Sequence, residues 1–173
     1  MRNITAGLFC LLFFGRLASS QAGRSVDNRE SFVAVFSQTL SKVVEASGDG
    51  FRTIKGPQDP ASNGEAWFST LQLPTARQCL VWVYRDRSLG RRYSCDFGRT
   101  FSLDEAQSRY NQALQIVSQS LQGWSKSESA RTSRKTPNRA EFTSASSSAS
   151  VTLRLSDHGA HGYLLYVDVN PQD

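Results

Sequence analysis

The chain has 173 residues, 20 lysines and arginines against 15 acidic residues, two histidines and a formal charge of +5. The length asks for no second core, since about 150 residues already bury roughly two thirds of their unfolded surface in one domain. So modest a positive excess makes no case for a nucleic-acid partner.

The opening "MRNITAGLFCLLFFGRLASSQAGRS" sets Arg2 before an apolar run from Ile4 to Phe14, then small and polar residues up to Ser20-Gln21-Ala22. This layout predicts a secretory signal peptide over residues 1–22, removed near Ala22. The run is shorter than the roughly 20 residues of a membrane-spanning helix, and Arg16 stops its extension. No integral membrane span is therefore expected. A lipoprotein signal is disfavoured because Cys10 lies inside the apolar run behind Phe9, where a small residue belongs. Removal takes Arg2 and Arg16 from the 20 basic residues and leaves a charge of +3 on residues 23–173, read as a single periplasmic or extracellular domain.

"DNRESFVAVFSQTLSKVVEASGDG" predicts a helix opened by an Asp27/Glu30 capping box. It carries Phe32, Phe36, Leu40 and Val43 or Val44 on one face and stops at Gly48. Strands are expected at Phe51 to Lys55 and Glu65 to Gln72, joined by the loop "GPQDPASNG".

Strands over Gln78 to Arg85 and Arg91 to Phe97 form a predicted hairpin. Centring its turn on Arg87 sets Cys79 opposite Cys95 and Val81 opposite Tyr93. Loss of Cys10 leaves these two cysteines in a compartment that permits disulfides, so one bridge is expected. The spacing is not Cys-x-x-Cys and no histidine lies nearby in sequence, which argues against a redox pair or a thiol nucleophile. The tip gathers Tyr84, Arg85, Arg87, Arg91, Arg92 and Tyr93. Arginine forks bind phosphate or carboxylate and stack on aromatic rings, which makes these six residues the candidate binding group for an anionic partner. The competing reading is a solvated turn whose arginines keep the edge from pairing with other chains.

"SLDEAQSRYNQALQIVSQSLQGW" predicts a second helix with Ser102 and Glu105 as its capping box. Leu103, Ala106, Tyr110, Ala113, Val117 and Leu121 make its apolar stripe, and Gly123 ends it. Asp104 and Glu105 are explained by the first-turn position and the helix dipole. The segment from about 125 to 150 is serine-rich, with five basic residues between Lys126 and Arg139. It reads as a basic loop with one edge strand near Glu141 to Ser144, or as a basic arm for an acidic partner.

"VTLRLSD" and "YLLYVDV" predict a last hairpin. Pairing Val151 with Val169, Leu153 with Val167 and Leu155 with Leu165 puts those six on one face, and Thr152, Arg154, Tyr166 and Asp168 on the other, more polar face. His158 to Gly162 is then the loop. Both histidines of the chain sit there, so Asp157, His158 and His161 are the candidate metal ligands, with zinc as the candidate ion. Zinc wants three or four ligands and this loop offers at most three, without the helical scaffold that aligns two imidazoles. A polar turn, or a pH-sensitive contact, accounts for the same residues, and no cofactor is expected.

No Gly-x-Ser-x-Gly elbow, phosphate-binding glycine loop or dinucleotide fingerprint occurs. The expected architecture is α+β, with two amphipathic helices packed on one face of a mostly antiparallel sheet of six or seven strands. The expected function is that of an exported, non-catalytic interaction module, an inhibitor or envelope accessory protein, whose partner is a protein or an anionic envelope component and not nucleic acid. The alternative is a small metal-dependent hydrolase using the His-x-x-His loop. The partner's identity and the oligomeric state are not legible.

Overall fold

The computed structural model describes residues 21–86, 90–133 and 136–172. The expected signal peptide, apart from its last two residues, lies outside the described residues. The chain runs helix, four strands, helix, four strands. The elements are α1 (Gln21–Ala46), β1 (Lys55–Gln58), β2 (Ala66–Ser69), β3 (Gln78–Val83), β4 (Arg91–Thr100), α2 (Leu103–Ser120), β5 (Ser125–Ser133), β6 (Thr136–Thr143), β7 (Ala149–Asp157) and β8 (Tyr163–Pro171). They make an α+β fold with one antiparallel sheet of eight strands in the order β1-β2-β3-β4-β8-β7-β6-β5. Two helix-plus-meander halves thus meet edge to edge at β4 and β8. No helix among the described residues is long and apolar enough to cross a membrane.

Both predicted hairpin registers hold. Cys79 stands opposite Cys95 and Val81 opposite Tyr93, while Val151, Leu153 and Leu155 stand opposite Val169, Val167 and Leu165. Pairing of β4 with β8 and of β6 with β7 extends these contacts into two rows across the sheet. One row is Val81, Tyr93, Val169, Val151 and Phe142, and the other is Cys79, Cys95, Val167, Leu153 and Ala140. All ten are buried. They form one core with Phe36, Leu40 and Val43 of α1 and Ala106, Tyr110 and Val117 of α2. A fully buried valine or leucine stabilises by about 1.5–3 kcal/mol relative to exposure, so these rows carry the fold. Side chains alternate across a strand, so the residues between them face away from the core.

Several local expectations are corrected. The helix α1 starts at Gln21, so Asp27 lies within it and does not open it, because an N-cap needs non-helical backbone. Residues 51–54 do not form a strand. Phe51 has φ 65° and its N–H donates to the Ala46 carbonyl (2.7 Å), and a short 3-10 turn, Arg52–Ile54, follows. The strand β1 begins at Lys55 and runs into the expected loop, where Pro57 is tolerated because β1 is an edge strand. Ser102 does cap α2, accepting from the Glu105 N–H at 3.3 Å. The Glu105 carboxylate leaves the box half-made, taking the Thr100 hydroxyl and Arg109 instead, each at 2.6 Å. Leu103, expected in the stripe, is half exposed.

The serine-rich segment gives the largest correction. It forms the hairpin β5–β6, which raises the strand count to eight. Ala140 and Phe142 face the core from β6, whereas β5 is an outer edge with Ser125 to Ser129 exposed. An edge strand in water needs no apolar alternation, and its charges discourage pairing with other chains.

Gly162 closes the last hairpin with φ 80°, and a Cβ there would stand 2.5 Å from the Thr100 carbonyl oxygen. The Gly162→Ala protein is expected to lose about 2 kcal/mol, from left-handed strain plus displacement of a backbone that cannot swing aside. A urea midpoint equal to that of the parent would contradict this.

Two buried phenols predict alkaline sensitivity. Burial pushes Tyr93 well above the usual tyrosine range, and its hydroxyl donates to the Leu71 carbonyl at 3.0 Å. Burial first, and the Glu128 charge second, push Tyr110 up to about 12. In the unfolded chain both titrate near 10, so their contribution is complete below about pH 10 and is lost as pH rises toward 12. Denaturant midpoints are expected to fall between pH 9 and 11.5, and to fall less in Tyr93→Phe.

Candidate functional site

The five described tip residues do not converge, because successive residues of a strand point to opposite faces. Tyr93 is fully buried against the core side, packed on Phe51 with ring centroids 6.3 Å apart, and cannot serve as a surface contact. Arg91 lies against Gly50. Burial, with the Arg91 charge added, holds the nearby Lys55 ammonium below its usual range. Arg85 is exposed, donating to the Asn63 carbonyl at 2.6 Å and standing 3.9 Å from Glu65. Arg87 lies outside the described residues. Among the described tip residues Tyr84 and Arg92 come together, the guanidinium donating to the phenol oxygen and lying 5.5 Å from its ring centre.

The histidine loop is a turn. Asp157 accepts the Gly159 N–H at 2.7 Å, the His158 carbonyl accepts the His161 N–H at 3.2 Å, and both imidazoles are exposed. Among the described residues no group of three or more His, Cys, Asp or Glu side chains could hold a metal ion. Replacing His158 and His161 together by alanine is expected to change stability by less than about 0.5 kcal/mol, as for surface residues without a special role. A larger loss of Tm would mean that the loop does more than turn the chain. Cys79 and Cys95 stand at disulfide distance in the core.

A different group of residues gathers on the open face of the sheet, away from the core. One outward row is Leu80, Ser94, Asp168, Thr152 and Glu141, and the next is Gln78, Asp96, Tyr166, Arg154 and Arg139. Asp168 is the centre. Its side chain is 3% exposed although it is a carboxylate. Arg154 donates to Oδ2 through Nε at 2.5 Å and to the Ser156 hydroxyl at 2.8 Å. Arg92 approaches from the other side, with Nε 4.0 Å from Oδ1. The pairing is diagonal across strands, a separation long side chains can span.

Aromatic rings hold both arginines. The Arg154 guanidinium lies 4.0 Å from the Tyr166 ring centre. Arg92 is held by Tyr84, which is stacked on Trp82 at 5.9 Å. Cation–π contacts of this kind are worth about 0.5–2 kcal/mol, and they restrain side chains that would otherwise sample many rotamers. Burial first, then the Asp96 charge, raise the Tyr166 phenol above its usual range, so it is neutral and able to donate at physiological pH. Between these groups opens a cleft of about 230 Å³, lined by Gln78, Leu80, Trp82, Arg92, Ser94, Asp96, Arg154 and Tyr166.

No protein-family model, curated protein or solved structure matches the chain. The reading of the cleft therefore stands on its geometry.

Three buried polar atoms beneath the cleft take no hydrogen-bond partner among the described residues: Arg92 Nε, Asp168 Oδ1 and Thr152 Oγ1. Each such atom costs about 1–3 kcal/mol, so a group of three in one place is a mark of strained or functional design. The cleft holds no nucleophile paired with a general base. Fixed donors and acceptors beside half-buried rings can bind and orient a ligand. Arg154, Tyr166 and Asp168 were assigned to the outer face from sequence, but only as a wettable surface. Trp82, Ser94 and Asp96 were not singled out.

Proposed function

We propose that the chain is an exported, non-catalytic interaction module that grips a polar component of the periplasm or cell exterior in the open-face cleft. The observation that carries this reading is the pair of aromatic-braced arginines sharing one buried carboxylate with unsatisfied polar atoms beneath a cleft. Binding sites combine a concavity with a few placed polar groups, and this face has both. Support for export comes from the sequence pattern of residues 1–22. The cysteine pair at bonding distance is compatible with an oxidising compartment.

The test is retention of the immobilised protein on fractionated envelope lipid, glycan and protein. Arg154→Gln is expected to abolish retention while keeping the parent circular dichroism. Arg91→Glu, on the core side of the sheet, is expected to leave retention unchanged. The reverse pattern would move the binding surface to the hairpin tip and overturn the proposal.

A further inference from the structure

We propose that the cleft is a saccharide site that takes a neutral, hydroxyl-rich pyranose ring. This rests on the reading of the open face as the binding surface and names the ligand class. Charge balance comes first. Among the residues lining the cleft or directly beneath it, Arg92 and Arg154 are matched by Asp96 and Asp168, while the Arg99 charge also reaches Tyr166. A site for phosphate or a carboxylate shows a surplus of cationic donors, whereas here a second anion would meet Asp96 and Asp168.

The cleft also mixes hydrogen-bonding groups. Arg92, Arg154, the Gln78 amide and the Ser94 hydroxyl donate, while Asp96 and the Gln78 carbonyl accept. A hydroxyl is the small group that does both at one oxygen. Arg92 Nε and Asp168 Oδ1, both buried and 4.0 Å apart, belong to the floor beneath the cleft, and a ligand hydroxyl is met by the lining groups above them.

The shape agrees with this. Trp82, braced from one side by Tyr84, presents a flat apolar surface beside these polar groups, and Leu80 extends it. A pyranose has the matching character, with apolar C–H faces and hydroxyls around its rim. At about 230 Å³ the cleft falls below the roughly 300–1,000 Å³ of sites for drug-sized ligands, which limits it to a single ring, with further units of a chain lying outside.

Isothermal titration of the full-length secreted protein tests this. The neutral probes are cellotetraose, maltotetraose and triacetylchitotriose at millimolar concentration. Trigalacturonate and inorganic phosphate are the anionic probes. At least one neutral probe is expected to bind, with affinity about tenfold weaker in Trp82→Ala and in Asp96→Asn, and unchanged in Arg91→Glu. Circular dichroism confirms folding, and Trp82→Phe is expected to restore part of the affinity by keeping an aromatic surface. Binding of an anionic probe alone, lost in Trp82→Ala, would overturn the neutral-saccharide assignment and keep the open face as the binding surface. Neutral binding indifferent to Trp82→Ala and Asp96→Asn would place the sugar elsewhere and overturn both. No heat with any probe would overturn the saccharide proposal and leave the open-face reading to the retention experiment.

Discussion

Asp168→Ala is expected to lower stability by about 3 kcal/mol and to abolish ligand binding. The carboxylate is buried, and removing it leaves Arg92 and Arg154 close together without their shared counter-charge. Breaking a buried ion pair from one side costs about 3–5 kcal/mol. The lower end applies, because the two arginine side chains are 31% and 25% exposed and water screens them in part. Asp168→Asn keeps the shape and loses the charge, so most of the cost should remain. Removing the charge from every member, as in Asp168→Leu with Arg92→Leu and Arg154→Leu, should recover much of the stability and none of the binding. Urea unfolding of the three variants separates these cases. A loss below about 1 kcal/mol in Asp168→Ala would mean that the arginines do not depend on the carboxylate, and that the network is surface decoration.

Joint replacement of Cys79 and Cys95 by alanine is expected to cost about 3 kcal/mol in the oxidised protein. The pair is separated by 16 residues, and closing such a loop restricts the unfolded chain by about that amount in the chain-entropy picture. Both residues are fully buried in the row with Val167 and Leu153, so loss of sulfur volume adds a smaller packing term. The comparison needs the parent with and without reductant. The reduced parent should approach the variant, and parent midpoints that do not differ between the two conditions would show that no bridge contributes.

What could be read from the sequence follows the range of the interactions. The β3–β4 and β7–β8 hairpins were local enough to be solved by alternation. A turn centred on Arg87 fixes not only Cys79 opposite Cys95 but also Gln78, Leu80 and Trp82 facing Asp96, Ser94 and Arg92. The last hairpin likewise set Thr152 opposite Asp168 and Arg154 opposite Tyr166. Six of the eight cleft residues thus lay in the first hairpin and two in the last. The contact that joins them, β4 beside β8 with Tyr93 opposite Val169, spans 76 residues of chain and leaves no periodic trace.

The tip residues misled for a related reason. Tyr84, Arg91, Arg92 and Tyr93 cluster in sequence, yet alternation sends Tyr93 into the core and Arg91 to Gly50. A signal for the true centre was present in "YLLYVDV", where Asp168 interrupts an apolar strand at an outward position. An acid flanked by valines in a central strand needs a partner, and Arg154 of the neighbouring strand was within diagonal reach. The hairpin β5–β6 was missed because serine and charge on an edge strand have the composition of a loop, and pairing of β6 with β7 decides the matter.

Binding of the partner on the open face is tested by an amide chemical-shift map of the isotopically labelled protein, titrated with the envelope fraction it retains. Perturbations are expected to be confined to residues 78–82, 92–96, 154 and 166–168. A map that lights up the helices or the β5 edge and leaves those residues silent would contradict it.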